Sequence, residues 1–241
     1  MFKTEENSNL TVPKHIAIIL DGNGRWAKKN GKERIEGHYE GVVSVRSAII
    51  SSINWGVKVL TVYAFSTENW GRPQDEVEGL MELFCKTIAM EISSLKEQKV
   101  KVIFIGDKSA LSSEVLESVE FCETQTAHFD NLTLCVALNY GSRAEITNAF
   151  KILAQKCVDG EIKPSDISEQ NINDQLYTQG LDAPDLVIRS SGEQRLSNFL
   201  LWQVAYSEFY FTSVLWPDFR EEEFDKAIAE YSKRVRRFGA L

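Results

Sequence analysis

Residues 16–20, Ile-Ala-Ile-Ile-Leu, form an unbroken apolar run that stops at Asp21-Gly22-Asn23-Gly24-Arg25-Trp26. Five consecutive apolar residues, three of them isoleucine, suit a strand buried on both faces, and such strands belong to parallel sheets covered by helices. Further short apolar, β-branched runs predict strands at 15–20, 58–65, 100–105, 132–138, 185–189 and 207–211. Segments of helical period separate them at 40–54, 75–95, 112–126, 142–157 and 221–236. In the longest, Val77, Leu80, Phe84, Ile88 and Leu95 fall on one face of a helix of about six turns. The alternation predicts an α/β fold, a mainly parallel six-stranded sheet flanked by helices. No repeat or linker divides the chain, so 1–241 reads as a single domain, with 1–13 as a flexible N-terminus.

The chain has 241 residues, 43% hydrophobic and 26% charged, as in ordinary globular proteins. Its net charge of −8 excludes general affinity for nucleic acid, so any basic site is a local one. Cys85, Cys122, Cys135 and Cys157 are widely spaced without metal-ligand spacing and read as reduced thiols. The first residues carry acids where a signal peptide needs basic and then apolar residues, and no run approaches the ~20 apolar residues that span a bilayer. A cytoplasmic location is the expectation.

A carboxylate at the carboxyl end of a buried strand lies where open α/β sheets place their ligands. Gly22 and Gly24 let backbone N–H groups approach a ligand closely, and Arg25 adds fixed charge. An acid that can hold a metal beside an anion cradle is what diphosphate chemistry needs. Other readings stay open on this motif alone. Gly22, Gly24 and Ala27 match the G-x-G-x-x-A dinucleotide fingerprint, yet no acid ends the second strand to hold a ribose. An aspartyl-phosphate phosphatase wants a second acid where Asn23 stands. A plain structural turn is the third.

The second strand runs into Ser66-Thr67-Glu68-Asn69-Trp70-Gly71-Arg72-Pro73, at the same predicted sheet edge as Asp21. Its alternative is a capped turn in which Ser66 or Asn69 satisfies backbone groups. The fifth strand ends at Arg189, and Arg195 follows six residues on across a Gly/Ser turn. Two arginines so spaced suit a clamp on phosphate oxygens, while pairing of Arg189 with Glu193 or Asp185 would be structural. His38, close to Arg34, is a candidate diphosphate contact, whereas His15 and His128 read as structural. Glu208, just before Phe209-Tyr210-Phe211, is a second candidate acid near the site. Trp26, Trp70 and Trp202 lie in or beside these polar motifs and suggest an apolar wall next to a charged pocket. The last helix carries acids at 221–223 and bases from Lys233 to Arg237, which a helix dipole favours. A basic end touching anionic lipid or a partner subunit is the other reading.

In order and spacing these motifs resemble the cis-prenyltransferases, the Z-type isoprenyl diphosphate synthases that include bacterial undecaprenyl diphosphate synthases. The resemblance runs from about Lys14 to Gly239 and rests on 15–26, Arg34 with Gly37-His38, 63–73, 185–203 and 208–211. Leu20 stands where methionine is common and Ser190 where threonine is common; neither change removes a charge. No Asp-Asp pair occurs, unlike the paired aspartate-rich motifs of trans-type synthases.

The resemblance implies that isopentenyl diphosphate units are condensed in Z geometry onto an allylic starter, farnesyl diphosphate. The expected product is C55 undecaprenyl diphosphate, the lipid carrier precursor for peptidoglycan synthesis. It further implies a homodimer, a hydrophobic tunnel, Mg²⁺ as cofactor and transient peripheral membrane contact through the lipid product. Carried over residue by residue, Asp21 and Asn69 are the catalytic candidates, with Asp21 and Glu208 holding Mg²⁺. Gly22, Asn23, Gly24, Arg25 and Trp26, with Arg34 and His38, would hold the allylic diphosphate. Ser66, Thr67, Glu68, Trp70 and Arg72 would also bind substrate, and Arg189, Arg195, Leu196 and Ser197 would clamp isopentenyl diphosphate. Ala64 and Leu132 would line the tunnel, with Leu132→Ala expected to lengthen the product, and Arg237-Phe238-Gly239 resembles an R-x-G element that reaches a partner's site. A non-catalytic subunit of the same fold would lack the aspartate or the arginines, all of which are present.

Overall fold

The computed structural model describes residues 10–236. Its strands are His15–Ile19 (β1), Val59–Ser66 (β2), Val100–Ile105 (β3), Leu132–Tyr140 (β4), Leu186–Arg189 (β5) and Glu208–Phe211 (β6). They form one sheet in the order β3-β4-β2-β1-β5-β6. Every adjacent pair is parallel. All five residues of β1 are buried, as its two-sided apolar run requires. Ile16 and Ile18 face a large core shared with the helices, while Ala17 and Ile19 face a smaller one containing Tyr140 and Phe199.

The helices are Asn23–Lys29 (α1), Arg34–Trp55 (α2), Gln74–Glu97 (α3), Ser113–Thr126 (α4), Ser142–Val158 (α5), Glu169–Asn173 (α6) and Glu221–Ser232 (α7). Among the described residues, no helix is long and apolar enough to cross a membrane.

Four expectations are corrected. The segment after Asp21 is not an open turn: Gly22, at φ 113°, caps a short helix that the Gly-Asn-Gly composition conceals. The second helix begins at Arg34 rather than 40, because Glu33 and Glu36 close a reciprocal capping box ahead of it. The last helix ends at Ser232, so no base lies in its last turn to answer the dipole. Arg234 instead pairs with Glu208 at 2.8 Å and Arg236 with Asp185. At the other end, residues 1–9 lie outside the description, but 10–13 are tied down. The Thr11 N–H donates to Ser232 Oγ at 2.9 Å, and Val12 packs on the main core.

Glycines on α2 set the distance between α1 and α2. A Cβ at Gly37 would lie 2.2 Å from the Asn23 carbonyl oxygen, and one at Gly41 would lie 2.6 Å from Asn23 Oδ1. At the amino end of β1, His15 joins the strand to its neighbours. Its Nδ1–H donates to the Asp182 carbonyl at 2.6 Å and its Nε2 accepts from the Thr61 hydroxyl at 2.7 Å. Burial pushes its pKa down to about 4, so the ring is neutral.

Gly37→Ala is expected to cost about 1–3 kcal/mol by overpacking. Calorimetry reads this as a fall of about 2–4 °C in Tm per kcal/mol at this chain length. For His15 the unfolded ring, near pH 6.5, takes up its proton first. Stability is therefore complete above that pH and declines as pH falls toward about 4. Denaturant midpoints across pH 4–7 should show this slope, and His15→Gln should flatten it.

Candidate active site

The strand order reverses direction at β1, which has β2 on one side and β5 on the other, so the crevice at its carboxyl end is the natural ligand site of the sheet. Asp21 stands there. Its backbone N–H donates to Ser190 Oγ at 3.0 Å, and its carbonyl accepts from that hydroxyl at 2.7 Å and from the Trp216 N–H at 2.9 Å. Its carboxylate is shared: Arg25 donates to Oδ1 at 3.1 Å and Arg189 to Oδ2 at 3.0 Å. Partial burial pushes the carboxyl pKa up, but the hydrogen bonds and charges of Arg189 and Arg25 outweigh it and hold the group below its ordinary value. Asp21 is an ionised acid.

The other expected arginines gather on few acids. Glu76 takes Arg34 at 3.0 Å and Arg72 at 2.9 Å, while Glu193 takes Arg25 at 3.4 Å and Arg195 at 2.5 Å. Five guanidiniums thus share the three carboxylates of Asp21, Glu76 and Glu193. A local cationic excess inside a chain of net charge −8 is a site for an anion. Arg189 is only 4% exposed and is held by Ser197 Oγ at 2.9 Å and by the Arg195 carbonyl; it does not pair with Glu193 or Asp185. The loop that supplies these partners is strained. Ser191, Ser197, Asn198 and Leu200 all have positive φ, between 47° and 73°. Asn198 holds it in place by donating to Glu68 Oε1 at 2.8 Å, and Tyr63 stacks on Phe199 with centroids 4.4 Å apart.

Orphaned polar atoms mark the mouth. Asn23 Oδ1, His38 Nε2 and Arg189 Nε are buried and without a protein partner. Asn23 Nδ2 donates to His38 Nδ1 at 3.3 Å, so the neutral imidazole carries its hydrogen on Nε2, as a donor. Burial, with Arg72 adding its charge, pushes the His38 pKa down to about 4. Asn69 lies on a 3-10 turn spanning Thr67–Gly71. Its Oδ1 accepts from the Ser66 N–H at 3.0 Å, so what it presents is its NH₂. The capped-turn reading is therefore correct, and Ser66 and Asn69 line the cavity as well.

From this mouth a cavity of about 770 Å³ runs between the sheet and helices α2 and α3, walled by apolar residues such as Val45, Ile49, Leu80, Phe84, Val136 and Leu138. Ala64 is in its wall. Leu132 lies one pleat beyond Leu134 on the same β4 face and is sealed in the core.

Several expected residues are elsewhere. Glu208 opens β6, level with Leu186 and Ile16, so it sits at the amino edge of the sheet, about 16 Å below Asp21 along the strand direction at the rise of ~3.3 Å per residue, and two strands across from it. It pairs with Arg234 and does not join Asp21 within one chain. Trp26, Trp70 and Trp202 donate to Asp218, Asn139 and Asn173, each at 2.7 Å, and none lines the cavity; Trp216 does. Leu196 packs into the smaller core and the Thr67 hydroxyl fills space over Gly141, so both shape the loops. Arg237-Phe238-Gly239 lies outside the described residues. Sequence reasoning missed Glu76 and Trp216 and offered Glu193 only to Arg189, whereas it takes Arg25 and Arg195; the charge pairing at the mouth and the bond from Trp216 Nε1 to the Gly41 carbonyl at 2.9 Å identify them.

A family model for prenyltransferases, described as undecaprenyl diphosphate synthase, matches residues 19–239. An isoprenyl transferase of Prochlorococcus marinus is 52% identical over 95% of this chain and 85% of its own length. A ditrans,polycis-undecaprenyl-diphosphate synthase of Haemophilus ducreyi, (2E,6E)-farnesyl-diphosphate specific, is 50% identical over 95% of this chain and 94% of its own. Among solved structures, lavandulyl diphosphate synthase from Lavandula x intermedia, in complex with dimethylallyl diphosphate, superposes with a TM-score of 0.92 at 37% identity, covering 95% of this chain and 98% of that one. With an acid, an arginine cluster and an apolar tunnel meeting at one sheet edge, the chain belongs to the undecaprenyl diphosphate synthase family of prenyltransferases.

Proposed function

We propose that this protein condenses isopentenyl diphosphate units in Z geometry onto farnesyl diphosphate, giving undecaprenyl diphosphate for peptidoglycan synthesis. The observation that carries this reading is the direct continuity of an arginine-rich mouth with a long apolar cavity, a shape for ligands with an anionic head and a hydrocarbon tail. The names of its relatives at about half identity support the same chemistry.

In this reading Arg34, Arg72 and the His38 Nε2–H face the allylic diphosphate, while Arg189, Arg195 and the Ser197 hydroxyl hold isopentenyl diphosphate. The allylic C–O bond breaks and its electron pair leaves with the diphosphate. The double bond of isopentenyl diphosphate then forms the new C–C bond, and a proton is lost to a diphosphate oxygen or water. Charge develops on the departing diphosphate, so preset guanidinium and N–H donors around it lower that barrier. A neutral amide whose oxygen is already engaged has no basicity to offer, so Asn69 orients substrate through its NH₂.

A divalent cation fits the mouth on the chemistry of its donors. Among the described residues no cluster of three acids or histidines forms a cage. Mg²⁺, however, takes one or two carboxylates and completes its shell with substrate phosphates and water. Asp21, ionised beside the arginines, would hold it once the guanidiniums turn to diphosphate. Bound there, Mg²⁺ would neutralise charge on the diphosphate oxygens. A homodimer, a cytoplasmic location and passing membrane contact through the lipid product complete the reading.

Purified protein given radiolabelled isopentenyl diphosphate and farnesyl diphosphate is expected to form butanol-extractable polyprenyl diphosphate only with Mg²⁺. Asp21→Ala should lower the rate by about 10²–10³-fold, the scale for losing one preorganised electrostatic group. Folded wild-type protein making no extractable product would overturn the reading in favour of a non-catalytic partner subunit. The His38 imidazole should show a single NMR titration near pH 4 and none between 5.5 and 8, because its neutral Nε2–H is the working form.

A further inference from the structure

Two charged residues stand in the part of the cavity wall away from the mouth, which is otherwise apolar but for the Thr87 hydroxyl. Arg46 interrupts the stripe Val42, Val45, Ile49 on α2, and Glu91 interrupts the stripe Phe84, Ile88, Leu95 on α3. They meet each other fork to fork. Arg46 Nε donates to Glu91 Oε2 at 3.0 Å, and its Nη2 donates to Oε1. The helices are joined a first time at the mouth, where Arg34 meets Glu76 at 3.0 Å. From there to the second pair is 12 residues along α2 and 15 along α3, about 18 and 22 Å of helix. Both pairings run in the same chain direction, so the two helices lie side by side, clipped at the mouth and again near the far end, with the cavity beneath the seam.

We infer that Arg46 and Glu91 form a reversible clip on the α2–α3 seam that closes the side of the hydrocarbon tunnel and limits product length. Two apolar side chains would close the seam without the desolvation cost of charges. What charges add is a closure that can open without leaving buried polar atoms stranded. The Arg46 side chain is 46% exposed and can turn into water, while that of Glu91 is 17% exposed. Outside the seam, beside the same pair, Val43, Ile50 and Met90 are exposed. An emerging hydrocarbon would therefore pass from an apolar lumen onto apolar side chains. While the clip holds, a tail that has filled the cavity meets a closed wall and elongation stops; when it parts, the tail can leave sideways and elongation continues.

This role presupposes prenyl elongation by this chain, and one assay separates the two. Product lengths from radiolabelled isopentenyl diphosphate are resolved for wild type, for the neutral pair Arg46→Gln/Glu91→Gln, in which only Glu91→Gln keeps the side-chain shape, and for the swapped pair Arg46→Glu/Glu91→Arg. In the neutral pair, the fraction of product longer than the main wild-type species should rise at least about threefold, the scale for losing one partly exposed ion pair. The swapped pair should restore the wild-type distribution, a recovery that loss of packing would not give. If the neutral pair fails to fold, Glu91→Gln alone carries the same expectation, since Arg46 then turns to solvent. Unchanged lengths, or a swapped pair that behaves like the neutral one, would overturn the clip while leaving the prenyltransferase reading intact. Absence of product from wild type would overturn both.

Discussion

The sharing of one carboxylate between two guanidiniums organises this molecule's working edge. Asp21 stands two residues past the end of β1, and through it the start of α1, the end of β5 and the loop before Trp216 are held together. Its backbone fixes Ser190 and Trp216, and its side chain fixes Arg25 and Arg189. A nearly buried arginine such as Arg189 needs a partner of this kind, since an unpaired charge there would be expensive to keep out of water. The strained loop 191–200 is tolerable because the contacts around it, including Tyr63 on Phe199 and Asn198 on Glu68, determine it from outside.

The cavity follows from the same sheet. β2 and β4 turn alternate residues toward α2 and α3, and Gly37 and Gly41 let α1 settle onto α2 so that Asn23 and His38 meet at the rim. Charged and amide side chains gathered at the rim and large apolar ones along the lumen produce a polar entrance on a hydrocarbon interior. That division of labour between head and tail is what the relatives' substrates require.

The six strands were legible because each is a short apolar run, and a sheet buried on both faces leaves such runs uninterrupted. The motif after β1 was legible as chemistry but not as structure: Gly-Asn-Gly reads as a turn, and only the left-handed φ of Gly22 shows it capping a helix. Arg189 could be placed at the sheet's carboxyl edge because strand ends have a predictable place, and Arg195 lies in the loop that follows it. Glu208 was misplaced for a related reason: it begins its strand, and in a parallel sheet beginnings and ends lie on opposite edges. Glu76 and Glu193 show half of their role locally, Arg72 standing four residues before the one and Arg195 two after the other, while Arg34 and Arg25 are brought to them through space. The tryptophans misled because an indole N–H takes whatever acceptor its loop brings near, and Asp218, the buried Asn139 and Asn173 satisfied them away from the lumen.

The three carboxylates among five guanidiniums bear on turnover as well as on binding. The arginines are paired rather than bare; under the proposed function Asp21, Glu76 and Glu193 would act as placeholders that yield when a diphosphate arrives and return when it departs. Each arrival is therefore an exchange of partners rather than the quenching of naked charge, which moderates affinity and makes departure easier. An enzyme that must release pyrophosphate and accept a fresh diphosphate many times while keeping one growing chain gains from a site that resets itself in this way.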